Sequence, residues 1–137
     1  MPGFDDKYGL ELIFEDNHLL VINKKPSQIV QGDKSGDKPL TELIKEYLKE
    51  KYNKPGNVYL GLIHRIDRPT SGLVVFAKTE KAGIRLSKIF KNRELRKKYW
   101  AVVQKTPSET EGILVHYLKK NEVKNKSFVV KENTAGA

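Results

Sequence analysis

The chain has 137 residues, no cysteine and a net charge of +9, which excludes a disulfide framework or a thiolate metal site. Its 38% hydrophobic and 31% charged residues fit one folded domain over residues 1–137 rather than a disordered tail. No apolar run approaches the roughly 18 residues of a membrane span, and His18, His64 and His116 lack ligand spacing. The segment Met1-Pro2-Gly3-Phe4-Asp5-Asp6 has neither the basic start nor the apolar stretch of a secretory signal. The expected location is therefore the cytoplasm, with no membrane and no metal.

In chain order, Leu10 to Phe14 and His18 to Asn23 are short apolar runs parted by Glu15-Asp16-Asn17, the pattern of a β-hairpin. Lys24-Lys25-Pro26 closes the second strand, because proline has no N–H to give a ladder. Residues 31–39 read as a polar loop. Pro39 suits a helix's first turn, with Asp37 nearby as a candidate cap. Leu40, Leu43, Ile44, Tyr47 and Leu48 recur at helical spacing and predict an amphipathic helix over 39–52, which Asn53-Lys54-Pro55-Gly56 stops.

Val58 to Ile63 and Leu73 to Ala77 read as strands around a polar turn. Thr79 suits the N-cap of a helix over 80–92, with Ala82, Leu86, Ile89 and Phe90 as a narrow apolar stripe. Tyr99-Trp100-Ala101-Val102-Val103, Ile113 to Leu118 and Phe128 to Val130 read as further strands. The sum is an α+β domain, with a mixed, mainly antiparallel sheet and two covering helices. The last residues, Lys131 to Ala137, are turn-like and follow a strand directly, so two expectations stand, a disordered tail or the N-terminal portion of a longer domain.

Charge is concentrated. Residues 78–100 carry nine basic and two acidic side chains, whereas residues 1–60 carry nine basic and ten acidic. Such a polarised surplus suits a polyanion-binding face, although a solvated helix face has the same composition. Arg85, Lys88, Lys91, Arg93, Arg96, Lys97 and Lys98, with Arg68, are the candidate nucleic-acid contacts.

The densest chemistry lies in His64-Arg65-Ile66-Asp67-Arg68-Pro69-Thr70-Ser71-Gly72. Asp67 is its one carboxylate, set among two arginines, a histidine and two hydroxyls. Opposite charges and hydrogen-bond donors favour an ionised acid, able to act as nucleophile, base or electrostatic stabiliser. A structural ion pair in a turn meets the same description. Arg65 and Arg68 could pair with Asp67, contact phosphate or stack on a base. Ser71 has no Gly-x-Ser-x-Gly context, so Thr70 and Ser71 are expected to bond backbone within the turn. Residues 31–37 lack the spacing of a phosphate loop. Tyr99, after Lys97-Lys98, could offer a ring for stacking and a phenol for proton traffic, or be an ordinary strand aromatic.

The nonapeptide with Leu73 resembles the signature of RluA-type pseudouridine synthases, His-Arg-Leu-Asp, two variable residues, then Thr-Ser-Gly, with Ile66 in place of Leu. Asn23-Lys24-Lys25-Pro26 is similar to the family's early Lys-Pro motif, and Lys98-Tyr99 falls where the family keeps its Lys-Tyr strand. Ser27 and Gln31 stand where the family usually has a Gly and a His. The family's later Gly-Arg-x-His-Gln-Ile-Arg-like segment has no counterpart here. The resemblance implies a partial pseudouridine synthase catalytic fold and isomerisation of chosen uridines in ribosomal or transfer RNA, without cofactor or metal. It implies that Asp67 is the catalytic aspartate, that Tyr99 lies against the base and takes part in proton transfer, and that Arg65 pairs with Asp67. Two rivals stand beside it: a non-catalytic RNA-binding fragment of such an enzyme, and a glycoside hydrolase, which would need a second carboxylate near the first.

Overall fold

The computed structural model describes residues 3–135, so Met1, Pro2, Gly136 and Ala137, and what was expected of those termini, lie outside the described residues. The chain separates into two compact units, one up to Lys97 and the other from Lys98 onward.

The first unit is built on a five-stranded sheet. Strands β1 (Gly3–Asp5), β2 (Leu10–Glu15), β3 (Leu19–Lys24), β4 (Gly61–Leu62) and β5 (Gly72–Ala77) lie in the order β1-β2-β3-β5-β4, every neighbour antiparallel. Helices α1 (Leu40–Lys51) and α2 (Glu80–Lys91) complete it. The expected hairpin is present. Its turn is fastened by Asp16, whose carboxylate accepts the backbone N–H groups of His18 (2.7 Å) and Leu19 (2.6 Å).

Side chains alternate across a strand, and here the alternation divides labour. Leu10 and Leu12, Leu20 and Ile22, Val74 and Phe76 point to one face, with Leu20 opposite Phe76 and Ile22 opposite Val74. Leu40, Ile44, Tyr47 and Leu48 of α1 close this side into one apolar cluster. Ala77, one residue on from Phe76, faces the other way, toward α2. A Cβ built on Gly83 of α2 would lie 3.7 Å from the Ala77 Cβ and 2.5 Å from the Tyr59 hydroxyl, so glycine permits this close approach.

Several expected details change. The N-cap of α1 is Pro39, with no side-chain cap; Asp37 instead pairs with Arg68. The free helix N–H groups find backbone acceptors, Leu40 giving to the Ile29 carbonyl (2.8 Å) and Thr41 to that of Val30 (3.3 Å). Thr79 caps α2 as expected, accepting from Ala82 N–H (3.3 Å). The run Val58 to Ile63 shrinks to the two residues of β4. The edge strand β1, with only Phe4 as a large apolar residue, was not expected.

A polar knot ties α1 to the sheet. Glu15, with its side chain 7% exposed, accepts from Lys51 (2.7 Å), Lys78 (2.7 Å), Tyr47 (2.8 Å) and Tyr52 (2.7 Å). Burial opposes its charge, but these four hydrogen bonds outweigh it and hold the carboxyl at about 2.

The second unit contains one hairpin, β6 (Tyr117–Asn121) with β7 (Lys126–Val130). Here the strand expected at Tyr99 to Val103 is absent, and the one expected from Ile113 begins only at Tyr117. A strand needs a partner for its ladder, and among the described residues neither segment has one. Their apolar side chains stay in solvent, with Trp100 99% and Ile113 91% exposed.

Candidate active site in the Asp67 loop

The loop between β4 and β5 carries the nonapeptide, and its geometry follows from three anchors. Ile66 turns inward and packs against the core cluster. Its neighbours Arg65 and Asp67 therefore face outward and are exposed. The turn after Asp67 is closed by Thr70 N–H donating to the Asp67 carbonyl (3.0 Å). Gly72 then enters β5 at φ +134°, a backbone conformation other residues rarely adopt. That conformation explains the glycine, since the space a Cβ would fill is open.

The second anchor is Lys24, the last residue of β3, opposite Gly72. It is fully buried, and its ammonium donates to three carbonyls: Gln28 (2.8 Å), Lys25 (3.1 Å) and Arg68 (3.1 Å). Ser27, at φ +71°, adds its own N–H to the same Arg68 carbonyl (2.9 Å). Three donors meet three acceptors, so the buried charge has its hydrogen bonds complete. Burial pushes the Lys24 pKa down, helped by Arg68, while nearby Asp67 pulls it up. The Lys-Pro motif thus fixes the backbone directly after Asp67.

His64 is the third anchor. Its Nε2 accepts the Val75 backbone N–H (3.0 Å), and its ring stacks on Phe90 of α2, centroids 4.8 Å apart at 27°. Burial lowers its pKa, and Lys97 adds to the effect.

The ion pairs differ from the expectation. Among the described residues neither Arg65 nor Arg68 forms a salt bridge with Asp67; Arg65 is exposed and Arg68 is engaged by Asp37. Thr70 contributes its backbone to the turn, and no side-chain bond of Thr70 or Ser71 is formed there among the described residues. Of the cationic candidates, Arg85, Lys88 and Lys91 are exposed on α2, and Arg93, Arg96 and Lys97 are exposed beyond its end. Arg93 sits at φ +56° just past the C-cap Asn92, where glycine is the usual occupant. Lys98 and Tyr99 belong to the second unit, both exposed, with Tyr99 outside any strand. Sequence reasoning missed Lys24 and His64 as loop anchors. A lysine ending a strand is ordinarily solvated, and nothing in its spacing shows which carbonyls lie around it.

The first unit is thus an α+β fold that displays an aspartate on a pinned turn and carries a cationic helix. The model of the RNA pseudouridylate synthase family matches residues 18–137. Ribosomal large subunit pseudouridine synthase D of Zymomonas mobilis is 38% identical over 101 residues, covering 72% of this chain and 32% of that protein. Ribosomal large subunit pseudouridine synthase C of Buchnera aphidicola is 34% identical over 119 residues, covering 87% of this chain and 36% of its own length. The tRNA pseudouridine synthase C of Vibrio cholerae is 32% identical over 95 residues, covering 69% and 37%. The structure of human RNA pseudouridylate synthase domain containing 4 superposes with a TM-score of 0.52 at 25% identity, over 61% of this chain and 30% of that one.

The chain belongs to the RNA pseudouridylate synthase family. It spans about a third of the length of the curated relatives it matches.

Proposed function

We propose that this chain carries the catalytic aspartate of an enzyme that isomerises uridine to pseudouridine in structured RNA, ribosomal or transfer. The observation that carries the reading is the Asp67 loop: an exposed carboxylate on a turn pinned from within by Lys24 and Ile66. Preorganisation of that kind suits a group that must meet a reacting atom. In the reaction the N1–C1′ bond breaks, the uracil turns, and a C5–C1′ bond forms. The C5 hydrogen leaves to solvent and N1 takes up a proton, so the product is an isomer and no cofactor is consumed. Asp67 acts at the nucleoside, Arg65 is free to enter the space a flipped base vacates, and Tyr99 serves proton transfer at C5. A base within RNA is reachable only when flipped out, and the cations from Arg85 to Lys98, with Arg68, hold the strand meanwhile.

Release of tritium from RNA labelled at uridine C5 tests this directly. Asp67→Asn is expected to reduce release to background while leaving RNA binding and the unfolding temperature unchanged. Unchanged release from that variant would sink the assignment. A second reading, an RNA-binding fragment without turnover, is favoured by the exposed, unladdered Tyr99. Salt-sensitive RNA binding with no tritium release from the unmodified chain would establish it instead.

A further inference from the structure

We infer that His64 is a positioning residue, which lets the chain leave the sheet edge at Ile63 and sets where Asp67 stands three residues later. The β4–β5 ladder sets the geometry. Gly61 pairs with Ala77 and Leu62 with Phe76, so one more step would set Ile63 opposite Val75. In an antiparallel pair, alternate residues turn both N–H and C=O toward the same neighbour. Val75 N–H points at the β4 side, because it meets His64 there. β4 nevertheless ends at Leu62. Continued pairing would satisfy Val75 but would hold the nonapeptide flat along the sheet. The chain departs instead, and a side chain supplies the acceptor that a strand carbonyl would have given, at 3.0 Å.

An acceptor Nε2 places the ring proton on Nδ1, so only the neutral ring in one tautomer serves. Phe90 provides the second constraint by stacking on the ring. His64 is half-buried, whereas Arg65 and Asp67 are exposed. The imidazole is therefore a peg between β5 and α2, and Asp67 hangs from it on one side and from the Arg68 carbonyl on the other. The inference rests on the reading of Asp67 as the reacting group, but the hold on the loop is measurable without turnover.

Two substitutions separate the two contacts. His64→Phe keeps an aromatic ring against Phe90 and removes the acceptor. His64→Gln gives up the stack and restores an acceptor oxygen. Amide hydrogen exchange of the whole chain is expected to show the Val75 amide and the amides of Asp67 to Thr70 exchanging about tenfold faster in His64→Phe, with His64→Gln close to the unmodified chain. Single-turnover tritium release is expected to fall by about a hundredfold in His64→Phe, the scale of a 1 Å misplacement, with RNA affinity unchanged and most of the rate rescued by His64→Gln. A protected Val75 amide in His64→Phe, or a loss of RNA affinity at full rate, would overturn the inference. Should the unmodified chain release no tritium while exchange behaves as described, the hold of His64 on the loop stands and the assignment of turnover falls.

Discussion

Helices α1 and α2 are both twelve residues long and flank the same sheet, but they bury different things. α1 sinks Leu40, Ile44, Tyr47 and Leu48 into the core, and its charges are mixed in sign. α2 buries only Ala82 and Gly83, leaves Leu86, Ile89 and Phe90 half-covered, and displays cations almost without relief. One face of the sheet is thus committed to stability. The other trades apolar burial for a basic surface and for the stack that fixes His64. Helix burial supplies most helix stability in water, so the two sides are expected to respond to mutation in opposite currencies.

The largest expected effect is on the α1 side. Ile44→Ala removes a fully buried side chain from the cluster and should cost about 3 kcal/mol in urea unfolding, against about 1 kcal/mol for Leu86→Ala on α2. Equal costs would erase the contrast.

Acid should next loosen the α1 side selectively. The Glu15 carboxyl titrates at about 2 in the fold against an ordinary 4.5, so between those values the unfolded chain binds the extra proton. The contribution of this knot is complete above about pH 4.5 and lost as pH falls toward 2. Unfolding midpoints between those limits should follow that slope, and Glu15→Gln should flatten it while lowering stability at neutral pH.

On the α2 side the expected change is in binding. Replacing Arg85, Lys88 and Lys91 together by Gln should reduce the slope of log RNA affinity against log salt by roughly 2, with stability altered by less than about 0.5 kcal/mol. The smallest effect divides the two currencies at one residue. Arg93→Gly relieves a left-handed arginine and should raise stability by up to about 1 kcal/mol, yet lower the same salt slope by about 0.7. A gain in stability with the salt slope unchanged would show that Arg93 does not meet RNA.

Much of the first unit was legible because period and punctuation agree there. The hairpin, β5, both helices and the Thr79 cap follow from apolar spacing and from residues that favour turns and caps. What failed was non-local. Tyr99 to Val103 has the composition of a strand, but composition cannot supply the partner strand its ladder requires. Asp37 has the composition of a cap, yet its carboxylate goes to Arg68, 31 residues away in sequence. Asp67 stood out because a lone carboxylate among cations is a local signal. Its supports, Lys24 and the ring of His64, were silent because their partners are Arg68, Val75 and Phe90, known only once the sheet is formed.

The Lys24 contact also carries a message about assembly in time. Its ammonium and the Arg68 carbonyl are 44 residues apart in the chain, and closing so long a loop has an entropic cost that only a formed sheet offsets. The β2–β3 hairpin can arise early from neighbouring residues, but the turn bearing Asp67 can set only after β5 has docked on β3. A chain emerging during synthesis would therefore own its cationic helix sequence and its aspartate without yet owning their geometry, and the Asp67 turn would set late in folding.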